Sequence, residues 1–266
     1  MKKKFFFGEF AFNILKCFAY FITWYLISNF VATLYLILYR AFTSENNLDV
    51  LNNALSSHTV ALTVIANCIT IFVFLLFYHK KGTTLFERTD LKKTSISIGV
   101  HSFIFGAAFL LVVNVFLIIL SKFAPEAWFS AHNQHSSVFT EADSTIKFLG
   151  AVVLAPILEE ILFRGLIAKA LNRNLHPWLA IILSSLVFGA VHGTIIGFIY
   201  ASIIGAFMCW IYFKTNSLLS SILFHIGFNA ISYFMTGSSI PLILVGISFL
   251  AVGYEIINFN RIDKKR

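Results

Sequence analysis

The stretch APILEEILFRGLIAKAL, residues 155–171, places two carboxylates and one guanidinium inside an apolar run. The three charged residues are Glu159, Glu160 and Arg164, and the apolar run around them covers residues 146–171. A run of this length is sufficient to cross the hydrocarbon core of a membrane as a helix. Each charge at the centre of a bilayer costs at least about 2.5–3.5 kcal/mol. The stretch therefore predicts a transmembrane helix that carries a functional site.

The whole chain has the composition of a membrane protein. Of its 266 residues, 58% are hydrophobic and 12% are charged, and the mean hydropathy is +0.83. Soluble domains contain about 25% charged residues, so a water-exposed globular fold and a disordered chain are both excluded. We expect an all-α fold, a polytopic transmembrane bundle. Its roughly eight helices are predicted at residues 14–39, 60–78, 96–120, 146–171, 178–192, 196–213, 218–234 and 241–257.

Basic residues are distributed unevenly among the connections between these segments. The connections on one side carry Lys80, Lys81, Arg88, Lys92, Lys93, Lys169, Arg173, Lys214, Arg261, Lys264, Lys265 and Arg266. Those on the other side carry only Arg40, Lys122 and Lys147. The positive-inside rule then predicts that both termini are cytoplasmic. The net charge of +8 is thus explained by membrane orientation, and we expect no nucleic-acid partner.

Helix geometry assigns different roles to the two adjacent glutamates. Glu160 and Arg164 are four residues apart, so they share a helix face and are predicted to form an ion pair. Glu159 is rotated by about 100° from Glu160 and is predicted to be the free, reactive carboxylate. Pro156 lacks an amide proton and clashes with the carbonyl of Val152, which predicts a loosened turn just before the acid pair.

Two other apolar segments carry polar side chains at a similar depth. The fifth segment ends in SSLVFGAVHG with His192, and the seventh contains SSILFHIGFNAI with His225 and Asn229 on one face. At about 1.5 Å per residue, Glu159, His192 and Asn229 lie roughly 20–22 Å from the cytoplasmic helix ends, and His225 roughly 14 Å. The hydrocarbon layer is about 30 Å thick, so we predict that the four side chains share one cavity.

These four groups are suited to hydrolysis of a peptide bond. A carboxylate beside an imidazole can activate water for attack on a carbonyl carbon. A second imidazole and an amide can stabilise the resulting oxyanion. Glutamate and histidine also bind zinc, and residue types alone leave both chemistries open. The sequence contains no H-E-x-x-H or G-x-S-x-G motif, and no Asp lies in a predicted span.

The three motifs together resemble those of a known family. Glu-Glu-x-x-x-Arg at 159–164, Phe-x-x-x-His at 188–192 and His-x-x-x-Asn at 225–229 resemble the CAAX-processing and bacteriocin-processing intramembrane protease family. The resemblance implies a membrane endopeptidase whose cavity opens toward the cytoplasm and the bilayer. It implies that Glu159 is the water-activating base with His192 as its partner. It further implies that His225 and Asn229 are transition-state donors. Glu160 and Arg164 are implied to be supporting residues.

The resemblance also divides the chain and limits its partners. It implies a protease core at residues 146–236, preceded by transmembrane helices at 1–145 outside the motifs and followed by a last helix and basic tail at 237–266. We expect a peptide or protein substrate within a lipid bilayer, and no cofactor, with zinc as the alternative. The composition favours a bacterial plasma membrane, while the oligomeric state stays open.

Two other function classes remain after the motifs are considered. Some members of this superfamily are discussed as non-enzymatic immunity or regulatory scaffolds that act through partner proteins. Buried Glu and His also relay protons in coupled transporters. The polar stretch near 122–147 contains His132 and His135, and we expect it to be an outer loop rather than a metal site.

Overall fold

The computed structural model describes residues 7–140, 144–235 and 241–262. Every regular element in these ranges is helical, which confirms the expected all-α fold for this part of the chain. The helices are α1 (Phe7–Thr43), α2 (Leu48–Lys80), α3 (Leu85–Thr89), α4 (Ile96–Leu120), α5 (Glu126–Thr140), α6 (144–174), α7 (Pro177–Ala190), α8 (Ile195–Thr215), α9 (Leu218–Phe234) and α10 (Leu242–Ile262).

Five of these helices are long and apolar enough to cross a membrane, namely α1, α2, α4, α8 and α10. Helices α7 and α9 are also apolar but contain only 14 and 17 residues. The protein is therefore an integral membrane protein. The count of eight spans and the cytoplasmic location of both termini stay predictions. The three N-terminal lysines and residues 263–266 lie outside the described ranges.

Helix α6 alternates between α-helical and wider π-helical turns. Its α-helical parts are Ser144–Lys147, Ala155–Glu160 and Lys169–Asn174, and its π-helical parts are Phe148–Leu154 and Ile161–Ala168. In the first π-helical part the amide of Ala155 bonds to the carbonyl of Gly150, five residues back. The following residue is Pro156, which has no amide proton to continue the ladder. The loosened turn predicted before the acid pair is thus confirmed.

Two glycines allow α4 and α9 to approach closely. A Cβ atom on Gly106 would lie 1.9 Å from the carbonyl oxygen of Phe224, and one on Gly227 would lie 2.2 Å from that of Phe103. Small residues at such positions let membrane helices pack backbone to backbone. This contact fixes the position of α9, which carries His225 and Asn229.

Helices α7 and α8 form a tight hairpin. The turn between them covers residues 191–194, where Gly193 has a φ of +70°. The hydroxyl of Thr194 accepts a hydrogen bond from the Gly197 amide and caps α8. The fifth span was predicted to include His192, but α7 ends at Ala190 and His192 lies in the turn. The left-handed Gly193 ends the helix sooner than the apolar pattern indicates.

The prediction of an outer loop around His132 and His135 is wrong, because residues 126–140 form helix α5. The segment lacks a long apolar stripe, and it packs against α2 and α8. The Nδ1 atom of His132 lies 3.2 Å from the hydroxyl of Thr194, and its ring contacts Tyr200 edge to face. Burial, followed by the nearby His135, lowers the pKa of His132.

The bundle has two chemically different ends. At one end, Lys169 forms an ion pair with Asp90 and Tyr212 donates to the same carboxylate, which joins α6 and α8 to the segment after α3. We call this the basic end, because it carries the described residues Lys80, Lys81, Arg88, Lys92, Lys93, Lys169, Arg173, Lys214 and Arg261. At the other end, α5 covers the α7–α8 turn, and the described charges are balanced. We call this the α5 end, and its charges are Arg40, Glu45, Asp49, Lys122, Glu126 and Lys147.

Candidate active site

A cavity of about 280 Å³ lies between α2, α6, α7, α8 and α9. The four residues predicted to share one cavity all line it, namely Glu159, His192, His225 and Asn229. Apolar side chains such as Phe188, Ile204 and Phe228 form much of the remaining wall. The structure therefore brings the predicted acid, two imidazoles and amide to one place.

The two adjacent glutamates occupy different environments. The side chain of Glu159 is 30% exposed and lies in the cavity, whereas that of Glu160 is fully buried. The Oε2 atom of Glu159 is 3.8 Å from Nε2 of His225, which is beyond normal hydrogen-bond length. The Glu159 carboxylate thus faces the cavity, as the helix geometry predicts.

The carboxylate of Glu160 is held by three donors. Arg164 donates through Nη1 at 2.8 Å, and His225 donates through Nδ1 at 3.0 Å. The hydroxyl of Ser221 donates to the second carboxylate oxygen. The predicted Glu160–Arg164 ion pair is confirmed, and through Glu160 it also fixes the ring orientation of His225.

The guanidinium of Arg164 contacts both neighbouring helices of the hairpin. Its Nη2 atom donates to the Gly205 carbonyl at 3.2 Å, and its central carbon lies 4.2 Å from the ring centre of Phe188. A Cβ atom on residue 205 would lie 3.1 Å from Nη2, so the absence of a side chain there leaves space for the arginine. Arg164 therefore connects α6 to both helices of the α7–α8 hairpin.

The ring of His192 is oriented by a backbone contact. Its Nδ1 atom donates to the Phe188 carbonyl at 2.8 Å, and the ring packs edge to face on Phe188. Because Nδ1 carries the proton in this arrangement, Nε2 of the neutral imidazole is an acceptor. His192 can therefore accept a hydrogen bond from a water molecule in the cavity.

Asn229 is oriented by the irregular part of α6. Its Nδ2 atom donates to the carbonyl oxygen of Ala151 at 2.8 Å. In a π-helical turn this carbonyl would accept from the amide of residue 156, which is a proline without that proton. Pro156 therefore leaves an acceptor on α6 for the amide of α9. The second Nδ2 proton of Asn229 is left for another acceptor.

Sequence reasoning missed Ser221 and Tyr200. Ser221 lies four residues before His225 on one helix face, so the SSILFH string contained a usable indication of its role. Tyr200 lines the cavity, and it also lines a second cavity of about 260 Å³ that shares Glu159 and His192 and extends beneath α5. Nothing in the sequence around Tyr200 indicates this position.

A contact between a histidine and a buried glutamate lies away from this cavity. The Nδ1 atom of His101 on α4 is 2.8 Å from Oε1 of Glu255 on α10, and the side chain of Glu255 is 3% exposed. Asn258 also donates to this carboxylate. The pair joins two helices and borders none of the cavities described above.

The spacing of possible metal ligands is relevant to a zinc site, the alternative that the residue types left open. Among the described residues, no three His, Cys, Asp or Glu side chains are close enough together to hold one metal ion. The expectation of no cofactor stays a prediction.

Comparison with known families agrees with this geometry. Residues 141–231 match the family model of the type II CAAX prenyl endopeptidase Rce1-like proteins, a family of proteases. The match covers about a third of the chain and contains the polar residues of the site, Glu159, Glu160, Arg164, His192, Ser221, His225 and Asn229. The resemblance predicted from the three motifs is thereby confirmed. No curated protein and no solved structure matches the chain.

Proposed function

We propose that this protein is an intramembrane endopeptidase that hydrolyses peptide bonds of membrane-associated peptides or protein termini by a glutamate-activated water mechanism. The observation that carries the proposal is that Glu159, His192, His225 and Asn229 line one cavity. The match of residues 141–231 to a protease family supports the same reaction. We further propose a bacterial plasma membrane as its location.

In the proposed first step, Glu159 and His192 orient and activate one water molecule. The water donates one proton toward the Glu159 carboxylate and the other toward Nε2 of His192, which is the acceptor because Nδ1 donates to Phe188. The water oxygen attacks the carbonyl carbon of the scissile peptide bond while Glu159 takes up its proton. A tetrahedral intermediate with a negatively charged oxygen results.

In the same mechanism, His225 and Asn229 stabilise the oxyanion. His225 in its protonated form donates through Nε2, and its positive charge is stabilised by Glu160 at 3.0 Å. Asn229 donates its second amide proton, since the first is held by Ala151. With His225 protonated, two cations and two carboxylates balance within the site, which reduces the cost of burying them.

Collapse of the intermediate completes the reaction. Glu159 returns its proton to the leaving nitrogen, the carbon–nitrogen bond breaks and the carbonyl group reforms, which gives a carboxylic acid and an amine. Proton transfer from the acid to the amine then gives a carboxylate and an ammonium ion. Atoms and charge balance without a metal or cofactor. Glu160, Arg164 and Ser221 act through His225 and position it rather than contacting the substrate.

The proposal is tested by comparing peptides in membranes with and without the protein by mass spectrometry, and then measuring cleavage of an identified peptide by purified variants. Glu159→Gln and His192→Phe are each expected to lose about 10²–10⁴-fold in cleavage rate, the usual contribution of a general base. Glu126→Gln, an exposed glutamate at the start of α5, is the matched control. If both site variants cleave at the wild-type rate, the assignment is wrong.

A further inference from the structure

A groove of about 470 Å³ lies on the surface of the bundle, apart from the candidate active site. The described residues that line it are Trp178, Ile181, Ala206, Phe207, Trp210, Lys214, Ile256 and Asn260. Four of them lie on α8, two on α7 and two on α10, and α8 packs against both other helices. None of these eight residues lines the cavity that contains Glu159, so the groove is a separate feature of the molecule.

The helices α8 and α10 are fixed beside the groove by aromatic and polar contacts. The ring centre of Trp210 lies 6.4 Å from that of Phe207 and 6.0 Å from that of Phe259 on α10. Helix α10 is also joined to α4, because Oε1 of Glu255 lies 2.8 Å from Nδ1 of His101. These contacts set the separation of α8 and α10, and with it the width of the groove.

The charged and amide side chains of the groove lie at the basic end of the bundle. Lys214 is the last residue but one of α8, and Asn260 is the last but two of α10. Trp178, whose amphipathic ring is typical of the membrane interface, is the second residue of α7 at the same end. Ala206 lies eight residues before Lys214, or about 12 Å further from this end along α8. The groove thus changes from polar to apolar with depth, as a lipid does from headgroup to acyl chain.

The charge at the polar end of the groove favours an anionic group. Among the described residues that line the groove, Lys214 is charged and no side chain is acidic. The start of α7, next to Trp178, adds the partial positive charge of a helix N-terminus at the same level. Asn260 supplies an amide that can donate hydrogen bonds. A phosphate at this level would therefore lie near a lysine, an amide and a helix N-terminus.

We propose that the groove binds one anionic phospholipid, with an acyl chain along Ala206 and Phe207 and the phosphate at Lys214. Basic pockets between transmembrane helices are typical sites for anionic headgroups. A zwitterionic lipid carries an additional ammonium group, which the lysine repels, so the anionic lipid is selected. The site uses none of the residues assigned to hydrolysis, and its test is therefore independent of the proposed function.

The headgroup preference is tested by native mass spectrometry of the purified protein, titrated in detergent with phosphatidylglycerol or with phosphatidylcholine of the same acyl chains. We expect the wild type to bind phosphatidylglycerol more tightly. Lys214→Gln should weaken this binding about fivefold, the effect of one basic residue near a membrane surface, and remove the preference. Lys214→Arg keeps the charge and should keep the preference. The control is Lys80→Gln, which removes an exposed charge at the last residue of α2 and should change neither.

The apolar part of the groove is tested by filling it. Ala206→Phe should weaken the binding of both lipids, whereas Ile65→Phe, at an exposed position on α2 that lines none of the cavities described above, should leave it unchanged. Equal affinities of the wild type for the two lipids would overturn the proposal, and so would equal losses in Lys214→Gln and Lys80→Gln. Wild-type affinities in Ala206→Phe would also overturn it, since the lipid would then bind elsewhere.

Discussion

At the scale of single residues, the site depends on a difference between two neighbouring glutamates. One step along α6 turns the side chain by about 100°, so Glu159 meets the cavity and Glu160 meets the core. Because Glu160 receives bonds from Arg164, His225 and Ser221, its charge is compensated where water is absent. Glu160 thus orients the ring of His225, which faces Glu159.

Removal of the Arg164 guanidinium should destabilise the protein strongly. In Arg164→Ala the buried carboxylate of Glu160 loses its cation, and breaking such a pair typically costs about 3–5 kcal/mol. Unfolding in detergent should therefore begin at clearly lower temperature or denaturant concentration than for the wild type. Arg261→Ala, at an exposed position on α10, is the control and should change stability by less than about 0.5 kcal/mol.

A double variant distinguishes the ion pair from simple loss of packing. If Arg164 acts through Glu160, then Glu160→Gln combined with Arg164→Ala should cost less than the sum of the two single changes. Additive costs would contradict the pairing as the source of stability.

At the scale of elements, α6 and α9 are positioned by irregularities rather than by regular helix packing. The π-helical turn before Pro156 leaves the Ala151 carbonyl for Asn229, and the glycines of α4 and α9 bring those two helices into backbone contact. Both features fix the rotation of α9, which carries two of the four site residues. Changes at these positions should affect the site from a distance.

A methyl group at Gly106 tests this contact. The Cβ atom of Gly106→Ala would meet the Phe224 carbonyl, so α9 must shift, and overpacking of this kind typically costs about 1–3 kcal/mol. We expect both the unfolding midpoint and the peptide cleavage rate to fall. Gly253→Ala on α10 is the matched control, because nothing lies within 4 Å of its added atom. Equal midpoints for the two variants would argue against close approach of α4 and α9.

The docking of α5 should depend on pH through His132. Burial lowers the pKa of His132 in the folded protein, so the neutral ring is favoured there. The stabilisation that the neutral His132 ring gives to the folded protein is therefore fully present above the unfolded-state pKa of about 6.5. This stabilisation is lost as the pH falls toward the lower folded-state pKa. Hydrogen exchange over residues 126–136, corrected for intrinsic rates, should show less protection at about pH 5.5 than at about pH 7.5.

The variant His132→Gln should remove most of this pH dependence. His58→Gln, which changes an exposed histidine at the same end of the bundle, should leave it unchanged. A wild-type protection pattern that does not vary with pH would show that His132 is not the titrating group.

At the scale of the whole molecule, the two ends of the bundle differ in charge and in packing. At the basic end, Asp90 contacts both Lys169 and Tyr212. The helices next to this end pack around fully buried side chains. The α5 end contains the cavities and an additional helix.

The metal content of the purified protein tests the expectation of no cofactor. We expect elemental analysis to find no stoichiometric zinc, and the cleavage rate to be unchanged after treatment with a strong chelator. The physical reason is that, among the described residues, no three His, Cys, Asp or Glu side chains lie close enough together to hold one metal ion. One zinc per chain, with activity lost on its removal and restored on its return, would contradict this.

The sequence alone determined the helical membrane fold, the Glu160–Arg164 pair, the loosened turn at Pro156 and the family resemblance. Each of these depends on composition or on spacing within one helix, which the period of 3.6 residues fixes. Only the tertiary structure decided that Ser221 and Tyr200 belong to the site, that residues 126–140 form a helix, and which end of the bundle contains the cavity. These depend on how separate helices rotate and cross, which side-chain packing between elements sets and no local pattern records.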